Sequence, residues 1–173
     1  MKTLVLYHSN TGYTEKYANW IAEELAADLM DAKKCSDDIF SDYDIIVYGG
    51  GLYGGHVGGL QLIIKNINNL KGKKIIVFTT GASPVKEETT LEIQNKNFTP
   101  EQLEIIRFYY LRGGFDYSKL KAGHKLAMNA MKIIVKSKKN TSPEIQQFLD
   151  AYDNPVDFTN KENINDLLAY ARA

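Results

Sequence analysis

The chain has 173 residues, 44% hydrophobic and 24% charged, a composition suited to one soluble globular domain with its own core. Its 21 basic and 21 acidic side chains cancel, leaving no global field to draw it to nucleic acid, and no apolar run approaches the ~20 residues that span a bilayer. A single cysteine, Cys35, excludes an internal disulfide and a thiolate metal cluster.

Leu4, Val5, Leu6 and Tyr7 form a short apolar run that predicts a first strand, followed by the polar loop His8, Ser9, Asn10, Thr11 and Gly12. That run is too short for the apolar core of a signal peptide, so a cytoplasmic location is expected. Tyr17, Ile21, Leu25 and Leu29 then step at helical spacing, with Glu15, Lys16, Asn19, Glu23 and Asp28 on the opposite face. A brief second strand is expected over residues 32–35. Asp44, Ile45, Ile46, Val47 and Tyr48 read as a buried central strand stopped by Gly49, Gly50 and Gly51. Leu60, Ile63, Ile64, Ile67 and Leu70 mark a second amphipathic helix, and residues 73–80 hold a fourth strand.

A third helix is expected after Pro84, a fifth strand over residues 106–111, and a last helix with the stripe Ile164, Leu167, Leu168 and Ala171. Thr159 and Glu162 have the spacing of a capping box at its start. Strands separated by helices predict a parallel sheet covered on both faces, an α/β fold in one domain over residues 1–173. About 45 residues separate strand five from the last helix, far more than the usual ~2–6, so a segment is inserted there. Leu120, Ala127, Met131 and Ile134 form a possible apolar stripe within it, and Ser142, Pro143 and Glu144 suit the start of another short helix.

The loop after strand one holds the first chemical signal. A helix start offers unpaired N–H groups and a partial positive charge, which suit a phosphate. Ser9, Thr11 and Thr14 add hydroxyls, Gly12 lets the backbone bend, and no Lys or Arg lies in the loop. A polar helix cap of the ordinary kind fits the same residues. No Gly-x-x-x-x-Gly-Lys-[Ser/Thr] occurs anywhere, which removes the P-loop nucleotide reading.

The pattern of Ser9, Thr11, Gly12 and Thr14 after the first strand resembles the phosphate-binding loop of the flavodoxin family. The likeness extends along nearly the whole chain, including Asp42, Tyr43 and Asp44 ahead of strand three. The run Tyr110, Leu111, Arg112, Gly113, Gly114, Phe115, Asp116 and Tyr117, with its following insertion, resembles the flavodoxin-like, quinone-linked protoporphyrinogen oxidases. The resemblance implies a flavodoxin-like three-layer sandwich with a five-stranded parallel sheet in the order 2-1-3-4-5, and flavin mononucleotide (FMN) as cofactor. Ser9, Asn10, Thr11, Gly12, Tyr13 and Thr14 would hold the phosphate. Leu52, Tyr53, Gly54 and Gly55, with Thr79, Thr80, Gly81 and Ala82, would bracket the ring, and Arg112 and Gly113 would close the site.

Residues 49–59 contain seven glycines in eleven positions. Gly49, Gly51 and Gly54 match the dinucleotide pattern Gly-x-Gly-x-x-Gly, but they follow the wrong strand and no acid occurs between Asp44 and Glu87 for a ribose. On the flavodoxin topology Tyr53 would lie against the ring, and Gly54 and Gly55 would let amides approach its edge and accommodate a peptide rotation. A glycine-rich loop with a surface tyrosine is the alternative. His56 is placed to donate a hydrogen bond or move a proton, His8 to support its strand end, and the three scattered histidines make no metal site.

These readings lead to an FMN protein carrying electrons to or from a redox partner protein or a small-molecule or quinone acceptor, with the chemistry on the cofactor. If it is an enzyme, it is an FMN-dependent oxidoreductase, of which the quinone-linked protoporphyrinogen oxidase type is one form. A non-catalytic binding module on the same fold is the third reading. Residues 117–143 carry seven lysines and no acid, so peripheral contact of residues 119–139 with an anionic membrane is a further expectation, beside an ordinary helix with solvated lysines.

Overall fold

The computed structural model describes residues 1–137, 146 and 149–173. Its main sheet has five parallel strands, β1 (Thr3–His8), β2 (Asp28–Asp31), β3 (Ile45–Tyr53), β5 (Lys74–Gly81) and β6 (Ile106–Arg112), in the order β2-β1-β3-β5-β6. This is the predicted order, with β5 and β6 as fourth and fifth strands. A short β4 (His56–Val57) folds back antiparallel on the end of β3. Both faces are covered. Leu4, Leu6, Ile46, Tyr48, Ile75 and Val77 point to a core completed by Leu60, Ile63, Leu70 and Phe98, whereas Val5, Val47, Ile76 and Phe78 meet Tyr17, Ile21, Leu167 and Leu168. Strands buried on both sides need apolar residues at consecutive positions, which explains the unbroken runs in the sequence.

Helix α1 (Tyr13–Leu25) ends earlier than its apolar stripe predicts. Ala26 turns left-handed (φ 47°) and the Ala27 N–H bonds back to Ala22 O at 2.9 Å, closing the helix with a Schellman-type turn. Leu29 therefore lies in β2, which falls at Asp28–Asp31 and not at the expected 32–35; Ala32–Lys34 is a 3-10 turn capped by Asp31. The second helix is also shorter. Only Gln61–Lys65 is α-helical (α2), and the buried Leu70 is reached through successive turns.

The expected helix after Pro84 is α3 (Glu87–Asn97), followed by the short α4 (Pro100–Leu103), whose capping box joins Thr99 and Gln102. The last helix, α6 (Asn165–Arg172), buries Leu167, Leu168 and Ala171 as predicted. Its entry is a 3-10 turn, Lys161–Ile164, capped by Asn160, while Thr159 instead bonds Asp157 at 2.7 Å. The inserted segment begins with a two-strand ladder, β7 (Gly114–Phe115) against β8 (Val156–Asp157), which closes the insertion at its base. Between them lies α5 (Ala122–Ser137); the helix start expected at Ser142, Pro143 and Glu144 lies outside the described residues.

Gly49, Gly50 and Gly51 do not stop β3. They continue it, pairing with Phe78, Thr79 and Thr80 of β5. A Cβ on Gly49 would lie 2.2 Å from Phe78 Cζ, and one on Gly50 would lie 2.5 Å from Gly58 O, so these glycines serve close approach. Gly49→Ala is expected to lower the unfolding free energy by about 1–3 kcal/mol through overpacking. Urea unfolding checks it: the midpoint falls at unchanged slope, and an unchanged midpoint would mean that Phe78 can give way.

Candidate functional site

The order of the sheet reverses between β1 and β3, and there the loops after β1, β3 and β5 face a common cleft of about 720 Å³. That volume lies within the roughly 300–1,000 Å³ of small-molecule sites, and the position is where open α/β sheets bind ligands.

The first wall is the start of α1. Gly12 takes φ 93° at the N-cap and no side chain caps the helix. The Lys16 N–H to Gly12 O bond, 2.9 Å, is the first of the helix, so the N–H groups of Tyr13, Thr14 and Glu15 have no partner within it. A Cβ on Gly12 would meet nothing within 4 Å, so space lies open beside these amides. Thr11 and Tyr13 line the cleft. Ser9 and Thr14 act differently from expectation. Ser9 Oγ accepts the Gly12 N–H at 3.0 Å, and the buried Thr14 hydroxyl turns inward to Thr80 Oγ1 at 2.6 Å. Asn10 Oδ1 is buried and has no hydrogen-bond partner among the described residues. Lys16 points away, paired to Asp157 at 2.9 Å.

The second wall is a hairpin where the sequence predicts a loop. Leu52 pairs with Val57 and Tyr53 with His56, and Gly54 (φ 58°) and Gly55 (φ 82°) form the two-residue turn. Positive φ at both central positions is what a type I′ turn needs, and it selects glycine. Helix α3 pins the tip: Lys96 Nζ donates to Gly54 O at 2.8 Å, Asn97 Nδ2 to Gly55 O at 2.8 Å, and Asn97 Oδ1 accepts the Val57 N–H at 2.9 Å. Leu52, Tyr53, Gly54 and Gly55 all line the cleft; His56 is exposed outside it. His8 ends β1 as expected, and burial holds its imidazole below the usual pKa.

Thr80, Gly81 and Ala82 form the third wall, with Ser83 and Pro84 beyond them. Thr79 is fully buried and donates to Gly50 O at 2.7 Å, which makes it a brace between strands. Arg112 enters from the end of β6. Its Nε donates to Ala82 O at 3.3 Å and its guanidinium lies 3.7 Å from the Phe158 ring centre, fixing a positive charge in the cleft wall. Gly113 lies behind, its N–H bonded to Gly81 O at 2.7 Å.

Of the remaining wall, the sequence showed Leu120, Ala127 and Met131 as members of an apolar stripe and did not show the rest. Phe115 and Val156, with Phe158 next to them, enter through the β7–β8 ladder, Leu120 through the 3-10 turn after β7, and His124, Ala127, Met128 and Met131 through α5. The His124 ring stacks on Tyr53, centres 4.2 Å apart and planes within 5°. Asp116, bonded to Ser118 Oγ at 2.6 Å, is held below the usual carboxylate pKa by that bond. The length of the insertion pointed to this region; which of its residues turn inward depends on a pairing across 40 residues of chain.

This arrangement is that of a doubly wound sheet with a ligand cleft at its switch point. The chain belongs to the flavodoxin domain family, whose pattern matches residues 4–142. An uncharacterized protein of Methanocaldococcus jannaschii is 34% identical over 119 residues, covering 68% of this chain and 79% of that protein. Among solved structures, the two-electron reduced flavodoxin of Megasphaera elsdenii aligns with a TM-score of 0.47 at 18% identity, over 62% of this chain and 84% of that one. Oxidised flavodoxin 2 from Bacillus cereus aligns with a TM-score of 0.45 at 20% identity, over 75% and 94%.

Asn97→Ala removes the acceptor of the Val57 N–H and the donor to Gly55 O. Amide hydrogen exchange at Val57 is expected to quicken about tenfold, the worth of one lost buried bond, with exchange in β1 unchanged. Unchanged exchange at Val57 would show that the hairpin stands without α3.

Proposed function

We propose that this chain, as one flavodoxin-like domain over residues 1–173, binds FMN in the cleft and carries electrons between it and a partner protein or small molecule. The observation that carries the reading is the open start of α1: uncapped amides beside free space, at the switch point, with the nearest lysine drawn off to Asp157. A phosphate there is held by the N–H groups of Tyr13, Thr14 and Glu15 and the Thr11 hydroxyl. The Tyr53–His124 stack supports the ring position, since it shows that Tyr53 accepts a flat ring at van der Waals distance.

Bound FMN supplies reversible one- and two-electron chemistry. The chain's own part is placement. Gly54 and Gly55 bring the hairpin turn to the cleft, with their carbonyls held by Lys96 and Asn97. The fixed guanidinium of Arg112 favours negative charge in the cleft, in a wall where Phe115, Phe158 and Met128 displace water.

A second reading, a quinone-linked oxidoreductase resembling protoporphyrinogen oxidase, is favoured by the apolar roof that α5 places over the cleft, which leaves an apolar compartment for a small-molecule substrate. Turnover of protoporphyrinogen with a quinone acceptor, lost on deleting residues 117–140, would select it.

Thr11→Glu places a carboxylate at the head of α1 without touching the core. It is expected to weaken FMN binding about 100-fold or more and riboflavin binding little, because riboflavin lacks the phosphate. Flavin fluorescence quenching measures both. Equal losses for the two ligands would put the phosphate elsewhere, and no flavin uptake by the unmodified protein would end the redox reading.

A further inference from the structure

Among the described residues, helix α5 is covered by its own fold along one side only. His124 stacks on Tyr53, the Met128 carbonyl accepts from Tyr152 Oη at 2.6 Å, and the Lys132 ammonium lies 4.4 Å from the Tyr152 ring centre. Of the stripe predicted from the sequence, Leu120 is buried just ahead of α5 and Ala127 and Met131 line the cleft, Met131 being 49% exposed, while Ile134 lies outside the cleft and is 57% exposed. Outermost are Leu126, 75% exposed, and Ile133, 70% exposed. Leu126, Ala130 and Ile133 follow one another at helical spacing and form a single convex ridge, with Ile134 beside it. Lys125, Lys132 and Lys136 run at the same spacing along one flank; half-buried Lys125 and Lys132 lie over the Tyr117 and Tyr152 rings, while Lys136 is exposed, as is Lys121 just ahead of the helix.

Single exposed apolar residues are ordinary. A contiguous ridge beside a row of lysines is a different arrangement, that of a helix lying in a membrane interface. Charge is segregated to match. The whole chain is neutral, yet residues 117–143 hold seven lysines and no acid. The adjoining acid, Asp116, is buried and paired to Lys119 at 3.4 Å.

We propose that α5 docks the protein on an anionic lipid surface, with Leu126, Ile133 and Ile134 below the headgroups and the flanking lysines at the lipid phosphates. A second copy of the chain is the poorer occupant, because two such faces would oppose lysine rows with no acid between them. The ridge is convex, so it offers no groove to a partner's helix. No described helix is long and apolar enough to cross a membrane, and the contact is peripheral. Ala127 and Met131 of the same helix line the cleft, so docking brings the cleft to the bilayer face.

Sedimentation of the full-length protein with vesicles of phosphatidylcholine, with and without phosphatidylglycerol, tests this. Binding is expected only to the anionic vesicles, and to fall steeply with salt. Lys121→Glu with Lys136→Glu should lower the partition coefficient about 100-fold or more, and Leu126→Ser with Ile133→Ser about tenfold or more. All four positions are exposed, and circular dichroism checks that each variant keeps the fold. Absence of binding to anionic vesicles at low salt overturns the proposal, as does equal binding to neutral ones or to either variant. Self-association abolished by the serine pair would assign the ridge to a second copy instead. Retention on immobilised polyglutamate without vesicle binding would assign it to an acidic protein. Both of these results also overturn the lipid assignment.

Discussion

A pair of buried hydroxyls, Thr14 Oγ1 and Thr80 Oγ1 at 2.6 Å, fastens the start of α1 to the end of β5. One turn further on, the fully buried Tyr17 donates its hydroxyl proton to Arg112 O at 2.7 Å and accepts from Asn163 Nδ2 at 2.8 Å. The threonine pair lies where water cannot replace it and the Tyr17 bonds are partly buried, so loss of Thr14 or Thr80 would strand a polar group. They hold the uncapped amides of α1 against the walls from β5 and β6. The cleft depends on them, since an α1 shifted along the sheet would turn its open N–H groups to solvent.

Glycine serves two different physical ends in the second wall. At Gly49 and Gly50 the need is space: neighbouring strands and the folded-back hairpin come so close that a side chain has no room. At Gly54 and Gly55 the need is a backbone with positive φ, and a Cβ on Gly54 would meet nothing within 4 Å. The run of glycines thus joins a packed strand to a tight turn, and α3 fixes the turn through Lys96 and Asn97. A segment that reads as a mobile loop is instead held at both carbonyls of its tip.

The insertion changes the character of the cleft. Without it, the three loops would face open solvent at the edge of the sheet. The β7–β8 ladder and α5 add aromatic, methionine and aliphatic side chains, and His124 covers one face of Tyr53. Polar donors therefore gather near α1 while the opposite end is apolar, a division that suits an amphipathic ligand with an anionic tail and a flat ring.

The parallel sheet and its two buried faces follow from the amino-acid sequence alone, because a strand enclosed on both sides must be apolar at every position, as at residues 45–48 and 75–78, whereas the order of the strands came from the resemblance to the flavodoxin family. The polar loop ahead of α1 was legible from its hydroxyls and glycine, and the wall residues Tyr53, Thr80, Gly81 and Arg112 from the family resemblance, which agrees with the ends of adjacent parallel strands sharing one edge. Helix ends were not, since Ala26 closes α1 through a backbone turn that no residue type announces. Nor was the use of each hydroxyl, because Thr11 facing the cleft and Thr14 facing Thr80 differ only in their direction from the helix axis. Leu120, Ala127 and Met131 of the roof stood out in the sequence as an apolar stripe, but the place of the roof over the cleft was decided by the tertiary structure. Its residues come together because Phe115 pairs with Val156, a contact between positions far apart in the chain that leaves no periodic mark in either segment.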